Sequence, residues 1–322
     1  REGEDIFKLM AGFVATQILY VWVQTGALQK LADKPYSAAM LSSVWGFDLE
    51  RSEILCRAGE AIGLVIERKG YYRLTRKGAV LIGLPGVTAL IEHHKILYQD
   101  LLNPVGFFKG VEETQLSKFW PYVFGGGMDL KSSEVEKYSD LMSESQHLVA
   151  ADTLAAVNIP SVCRFLDVGG GKGTFVSELK KIHPKVDAAV FDLPGSHSEN
   201  SGHRCIIGSF KEDELPAGYD IISLVRILYD HRDETIRDLL GKTYSALDKG
   251  GRLIVSEPML GADRPTLWGD VYFAMYTLAM STGKTRSPDQ VSGFIKDAGF
   301  SNVTIHKSAR PFITTVIEAQ KT

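Results

Sequence analysis
The sequence predicts an α/β protein: a doubly wound α/β domain with a C-terminal antiparallel hairpin, preceded by a mostly helical winged-helix domain. Three observations predict it. From Ala151 onward, short apolar runs alternate with helical patterns, as expected of parallel strands joined by crossover helices. Within that region, Phe165-Leu-Asp-Val-Gly-Gly-Gly-Lys-Gly-Thr-Phe175 reads as a buried strand, a glycine-rich turn and a helix, and Val190-Phe-Asp-Leu-Pro194 as a second strand tipped by a carboxylate, Asp192. Ahead of both, three helical patterns lead into one hairpin.

Residues 1–104 are assigned to the first domain. Ile6, Met10, Phe13, Val14, Ile18 and Val21 recur at helical spacing, and the pattern continues from Val23 to Leu31. Ser37–Val44 and Leu49–Gly63 form two further helices around Gly46. The alternation of Leu64–Thr75, broken by Lys69-Gly70, reads as a hairpin. A winged helix can bind DNA, but the would-be recognition helix sets Asp48, Glu50, Glu53 and Glu60 against Arg51 and Arg57, and would meet phosphates badly. Packing and self-association are expected instead, because the first helix carries apolar side chains on more than one face.

Residues 105–150 are assigned to a connecting region with an aromatic cluster, Phe119-Trp-Pro-Tyr-Val-Phe124, then Gly125-Gly-Gly127 and a helix from Tyr138 to Asp152. Such aromatics are core in most proteins, but between domains they can wall an apolar pocket. Residues 151–322 hold the α/β domain. Its strands are Arg164–Val168, Ala188–Phe191, Cys205–Gly208, Asp220–Val225, Gly251–Val255, Val303–Ser308 and Phe312–Ala319, with helices such as Asp233–Ala246 and Pro288–Ala298 between them. Ala309-Arg-Pro311 leaves no room for a crossover helix, so the last two strands pair antiparallel.

The totals exclude several classes. The 322 residues suffice for two domains. A net charge of −3 and a pI near 6.3 give no general attraction to nucleic acid. Cys56, Cys163 and Cys205 are odd in number and widely spaced, and read as thiols in a reducing cytosol rather than a disulfide or metal framework. No metal site is expected. No run of about 18 apolar residues stands out, so no membrane span is expected. Arg1-Glu-Gly-Glu-Asp-Ile6 lacks the layout of a signal peptide, and without an initiator Met the chain is expected to start after a missing segment.

The glycine turn carries the function. A dinucleotide site places a pyrophosphate over G-x-G-x-x-G. Here the run is Asp-x-Gly-Gly-Gly-x-Gly, and Asp167 would repel a pyrophosphate. It could instead take up an ammonium or a sulfonium-bearing amino-acid tail, through charge-assisted bonds or water. Gly169, Gly171 and Gly173 can take positive φ and let a ligand lie on the backbone, and Asp192 stands where a ribose would be held.

This pattern resembles the first motif of S-adenosylmethionine (SAM)-dependent methyltransferases. With Gly208-Ser-Phe210, Leu224-Val-Arg-Ile-Leu-Tyr-Asp-His-Arg-Asp-Glu234 and Gly250-Gly-Arg-Leu-Ile-Val-Ser-Glu-Pro258, the chain resembles the plant-type O-methyltransferases and their bacterial relatives, which join a winged-helix dimerisation domain to a Rossmann-like SAM-binding domain. Through Phe119–Gly125, Arg226–His231 and Gly269-Asp-Val-Tyr-Phe-Ala274, it looks most like the hydroxyneurosporene (demethylspheroidene) group of carotenoid synthesis, essentially end to end.

The resemblance implies that Gly169 and Gly171 contact the methionine part of SAM, Asp192 the ribose hydroxyls and Leu193 the adenine face, with Ser209 and Phe210 bordering the adenine. Plant-type members usually carry an acid at the Ser209 position. The stretch from Asp192 to Ser209 is short for the expected helix and strand, so either the helix is truncated or residues are missing there. The plant-type Leu-His-Asp-Trp run is here Leu228-Tyr-Asp-His231, which puts Tyr229 at the base position and His231 at that of the Trp. A phenol is a poor base at neutral pH. Glu257 matches the acid that orients the base, and the second orienting acid, expected near Thr285, is absent.

Tyr229, His231 and Glu257 remain the catalytic candidates, with Asp230 a further proton acceptor. Tyr229 also reads as a core tyrosine, and His231 as a capping or surface histidine. Arg226, inside an apolar strand, either anchors the cofactor or pairs with an acid such as Glu257. Tyr272, Met275, Tyr276 and Met280, with Phe124 and Met142, are expected to line a slot for a long hydrophobic substrate. The expected enzyme is a cytoplasmic homodimer that O-methylates an acyclic hydroxycarotenoid and contacts a bilayer transiently to collect it. The alternatives are the same fold methylating a thioether sulfur or a pigment carbon, and a SAM-binding scaffold without activity.

Overall fold
The computed structural model describes residues 2–119, 145–194 and 202–322. The chain divides into two compact units, Arg1–Lys95 and Ile96–Thr322.

In the first unit, α1 (Glu2–Gln24) starts with Glu2, Glu4 and Asp5, whose charges suit a helix N-terminus. Helix α2 (Ala27–Asp33) follows the left-handed Gly26. Ser37 caps α3 (Ala38–Trp45) by accepting from the Met40 amide, and Asp48 caps α4 (Leu49–Ala61) by accepting from the Arg51 amide. Strands β1 (Val65–Arg68) and β2 (Tyr71–Leu74) pair antiparallel from Val65↔Leu74 to Arg68↔Tyr71. Lys69 and Gly70 both have positive φ, 54° and 80°, as a type I′ hairpin turn demands. This helix–helix–hairpin order is the one read from the sequence. Helix α5 (Arg76–Gly83) follows, and α6 (Pro85–Asp100) runs on past the unit's end.

Trp22 centres this unit's core. It is fully buried, donates its indole N–H to the Leu55 carbonyl at 3.3 Å and meets Trp45 edge-to-face at 5.2 Å. A Cβ on Gly59 would lie 2.6 Å from the Trp22 ring, so the crossing of α1 and α4 is close enough to require glycine. The outer end of α1 exposes Ile6, Phe7, Leu9, Met10 and Phe13. Contrary to the expectation of no such segment, α1 is long and apolar enough to cross a membrane, with a mean hydropathy of 1.6. Its apolar residues are spaced around the helix among small and polar ones, so no continuous run marks it in the sequence.

In the second unit come α7 (Pro104–Lys109), α8 (Gln115–Phe119) and α9, helical over residues 145–156. The sheet contains β3 (Arg164–Val168), β4 (Asp187–Asp192), β5 (Arg204–Ile207), β6 (Tyr219–Val225), β7 (Leu247–Glu257), β8 (Ser301–His306) and β9 (Thr315–Gln320), in the order β5-β4-β3-β6-β7-β9-β8. Strands β3 to β7 are parallel, and β9 pairs antiparallel with both β7 and β8. Helices α10 (Thr174–Ile182), α11 (Asp233–Ala246), α12 (Ala274–Met280) and α13 (Pro288–Asp297) connect them.

Both sheet faces are covered, which is why the inner strands read as apolar runs. Leu166, Val168, Ala189, Phe191 and Leu224 pack on one face; Phe165, Ala188, Val190, Ile221 and Val225 pack on the other. Strand β9 starts at Thr315, not Phe312. The chain turns there, with the Ile313 and Thr314 amides donating to the Arg310 carbonyl at 2.8 and 3.3 Å. Arg310 in turn grips the buried Asp152 of α9 through Nε and Nη2 at 2.7–3.1 Å.

Candidate active site
The C-terminal edges of β3, β4, β6 and β7 gather most of the polar residues read from the sequence. After β3, Gly169, Gly171 and Gly173 have φ of 71°, 54° and 75°, all in the region that favours glycine. A Cβ on Gly169 would come 2.3 Å from Ile227 Cδ1, so the loop after β6 packs onto the turn. A Cβ on Gly171 meets nothing within 4 Å, which leaves open space above the backbone.

Asp192 closes this turn from the end of β4. Its Oδ2 accepts from the Gly171 amide and its Oδ1 from the Leu193 amide, both at 2.6 Å. The carboxylate is half-buried, as is Leu193. An acid bonded to an open, bare turn at a sheet's C-terminal edge fits the ribose-and-tail end of an adenosyl amino acid. Ser209 and Phe210 follow β5 on the same side, and the Gly208 amide donates to the Asp192 carbonyl at 3.0 Å. Ser209 is not left without an acid: its amide donates to Asp213 Oδ2 at 2.8 Å, a residue the sequence did not single out.

Asp167 lies beneath the turn rather than in it. It is 1 % exposed, and its Oδ1 accepts from Ser223 Oγ at 2.6 Å. A Cβ on Gly170 would come 2.4 Å from its other oxygen. Burial pushes its carboxyl up to about 7, against the Ser223 bond, and the negative Asp192 adds to the rise. The signal for this burial was present in the sequence: one polar residue in each of two apolar runs, Phe165–Val168 and Ile221–Val225, at positions that pair directly, Asp167↔Ser223.

Arg226 stands just past β6, not inside a strand. Its φ of 59° is unusual for a side chain with a Cβ and marks a strained corner. Its amide donates to the Ser256 carbonyl at 2.9 Å and its Nη1 to Ser145 Oγ at 2.7 Å. The chain then makes a single 3₁₀ turn, Leu228–Asp230, with Tyr229 and Asp230 buried.

Glu257 ends β7 and holds this corner. Its Oε1 accepts from the Ile227 and Leu228 amides at 2.8 and 2.7 Å. Burial raises its carboxyl to about 8, opposed by those amides and by Arg226. Burial likewise raises Asp230, which Glu257 repels and Arg226 relieves, and raises the Tyr229 phenol. Asp230 Oδ1 and Glu257 Oε2 are buried and without a hydrogen-bond partner among the described residues.

His231 is buried, and its ring lies edge-on to Phe210 at 5.2 Å. Burial, with Lys211 and Arg286 nearby, lowers it to about 3, so it is neutral at physiological pH. Arg286, missed in the sequence, fixes the turn from below: Nη1 donates to the Leu228 carbonyl at 3.1 Å, and Nη2 to the His231 carbonyl at 2.8 Å and Asp233 at 2.6 Å. At the position of the absent second acid, Thr285 is buried and shares a 3.0 Å hydroxyl contact with Thr277.

The apolar candidates lie on one continuous element, the π-helical segment Leu267–Phe273 and α12. Tyr276 and Met280 are buried with Leu97, Phe107 and Leu116, and Met275 packs against that cluster. The Tyr272 ring lies 6.2 Å from that of Tyr276, and the charge of Arg226 reaches its phenol. Phe124 and Met142 lie outside the described residues. Among the described residues, no group of His, Cys, Asp or Glu could hold a metal ion.

Residues 98–301 match a family model described as an O-methyltransferase domain. The chain is 42% identical to demethylspheroidene O-methyltransferase of Rhodobacter capsulatus, over 100% of this chain and 83% of that one. It is 40% identical to the protein of the same name from Cereibacter sphaeroides, over 99% and 87% of the two chains. Its fold is similar to that of human N-acetylserotonin methyltransferase solved with SAM, with a TM-score of 0.82 at 23% identity over 100% and 98% of the chains.

Proposed function
The chain belongs to the O-methyltransferase family, and we propose that within it the enzyme transfers the methyl group of SAM to the hydroxyl of an acyclic hydroxycarotenoid. The observation that carries the acceptor is the end-to-end likeness to two demethylspheroidene O-methyltransferases at 42% and 40% identity. The site is consistent with it. An apolar acceptor suits the Tyr272, Met275, Tyr276 and Met280 element, and the unpartnered carboxyl oxygens beside Tyr229 suit a hydroxyl that must lose a proton.

When bound, SAM supplies an electrophilic methyl group on a cationic sulfur. The residues of this chain bind and orient. Gly169 and Gly171 would give the methionine part a bare backbone to lie on, Asp192 would hold the ribose hydroxyls while bracing the turn, and Leu193, Ser209 and Phe210 would enclose the adenine. Asp167 acts from below, keeping Gly170 and the turn in place through Ser223. Arg226 and Glu257 shape the corner that presents Tyr229. Holding an acceptor oxygen in line at about 3 Å supplies much of the rate gain in such displacements.

A second reading rests on Tyr229. A buried phenol whose pKa is raised is a poor base, and an acceptor such as a thioether sulfur has no proton to lose. Incubating the protein with SAM, hydroxylated acyclic carotenoids, thioethers and pigment precursors, then weighing the products, separates the readings. An O-methyl ether of the carotenoid supports the first; methylated thioether or pigment carbon alone overturns it.

The exposed apolar face of α1, Ile6, Leu9, Met10 and Phe13, supports self-association of the first unit as a homodimer. The same helix would contact the bilayer from which an oily acceptor is collected, at the cytoplasmic surface.

A further inference from the structure
We propose that Tyr229 and Asp230 form a proton relay ending on the buried Asp230–Glu257 carboxyl pair, which removes the acceptor's hydroxyl proton in place of an imidazole base. This rests on the O-methyl transfer proposed above. Tyr229 is the catalytic residue, and Asp230 acts through it as a positioning and proton-storing residue.

The placement of charges argues for a pair rather than a lone base. Asp230, 5 % exposed, and Glu257, 2 % exposed, are both buried at this turn, and the charge of Glu257 disfavours ionisation of Asp230. Each keeps one buried oxygen without a hydrogen-bond partner among the described residues, Oδ1 and Oε2. Two carboxyls in a dry site with one guanidinium, Arg226, share one proton and hold one negative charge. Glu257 spends its Oε1 on the Ile227 and Leu228 amides, so its role is to fix the turn. Asp230 is the member that faces Tyr229, whose phenol also stands within hydrogen-bonding reach of Arg226.

The other groups around the turn do not compete. Lys284 reaches it only by donating its amide to the Tyr229 carbonyl at 2.8 Å. The Arg286 guanidinium is spent on the Leu228 and His231 carbonyls, Lys284 O and Asp233. Burial raises the Tyr272 phenol, and the charge of Arg226 opposes that rise. His231 turns to Phe210, on the side of the proposed adenine site.

The step balances. The acceptor oxygen forms its bond to the methyl carbon as that carbon's bond to sulfur breaks, and the sulfur keeps the electron pair. The acceptor's proton passes to the Tyr229 oxygen while the Tyr229 proton passes to Asp230. One positive charge leaves the sulfur and one proton arrives on the pair, so the total charge of the site is unchanged. A phenol that never ionises can serve, because it gives a proton as it takes one.

The test uses proton release on binding as well as turnover. Calorimetric titration of the full chain with SAM, and separately with its neutral thioether product, in two buffers of different ionisation enthalpy, counts protons released. We expect SAM to release more than the thioether, because the sulfonium charge drives the shared proton off the pair. Asp230→Asn should abolish that difference and, with SAM affinity kept, slow single-turnover methylation about 100-fold. Asp230→Glu should restore the difference and part of the rate. Tyr229→Phe should keep the proton difference and lose the rate. Equal release for both ligands in the wild type, or an Asp230→Asn variant with wild-type rate and pH profile, overturns the relay. A wild type that shows the proton difference but methylates no hydroxycarotenoid supports the pair and overturns the acceptor instead.

Discussion
Replacing Asp192 with alanine removes one carboxylate that does two jobs. It now accepts from the Gly171 and Leu193 amides at 2.6 Å, and in the complex it would accept from the ribose hydroxyls. A charge-assisted bond in a half-buried site contributes about 1.5–3 kcal/mol, so the ribose contact alone predicts a SAM affinity loss of roughly 10- to 150-fold. Freeing the Gly171 amide also loosens a turn that must be set before the ligand arrives, which pushes the loss toward the upper end. Asp192→Asn keeps one acceptor oxygen and should lose less. Calorimetric titration with SAM measures both. Unchanged affinity in Asp192→Ala would remove this carboxylate from the site and refute the reasoning.

The other predictions test separate parts. Gly171→Ala puts a Cβ into the open space above the turn at a φ of 54°; the αL cost is about 1–2 kcal/mol, and SAM binding should fall by more than urea unfolding shows for stability. Gly59→Ala would force a Cβ to 2.6 Å from the Trp22 ring and should destabilise by about 1–3 kcal/mol in urea or thermal unfolding, leaving SAM affinity intact. Glu257→Gln keeps an acceptor for the Ile227 and Leu228 amides, so it should fold and bind SAM but turn over slowly; wild-type turnover would exclude Glu257. For pH, the folded-state values of Asp167, about 7, and Glu257, about 8, lie above ordinary carboxyl values. Their stabilisation is therefore full below about pH 4 and lost as pH rises through 7 to 8. Urea unfolding should give a smaller pH dependence over this window in Asp167→Asn than in the wild type, and an identical one would contradict the buried-acid assignment.

The sequence revealed elements where one physical signal dominated. Strand β3 and helix α11 appear where they were read, because a strand covered on both faces is a bare apolar run and a helix between sheet strands keeps its periodicity. The positive φ of Gly169, Gly171 and Gly173 was legible because no other residue type adopts it so cheaply. Arg226 was misplaced because its apolar neighbours extend the strand pattern, while the chain turns there at a positive φ and Glu257, 31 residues on, accepts from the next two amides. The grip of Glu257 on the Ile227 and Leu228 amides, and the hold of Arg286 on the turn, join residues far apart in the chain. No local spacing encodes such contacts. The π-helical segment Leu267–Phe273 was likewise unreadable: it depends on the Asp270 carboxylate accepting from the Gly261 and Thr266 amides at 2.8 and 2.7 Å.

The most direct measurement is isotopic. The protein is incubated with SAM carrying a labelled methyl group and with an acyclic carotenoid bearing one hydroxyl, and the product is resolved by mass and fragmentation. The account predicts the label on the former hydroxyl oxygen of the carotenoid, and its loss from the reaction with Asp192→Ala at limiting SAM. Label on carbon or sulfur, or an unlabelled carotenoid beside a protein that binds SAM, would contradict it.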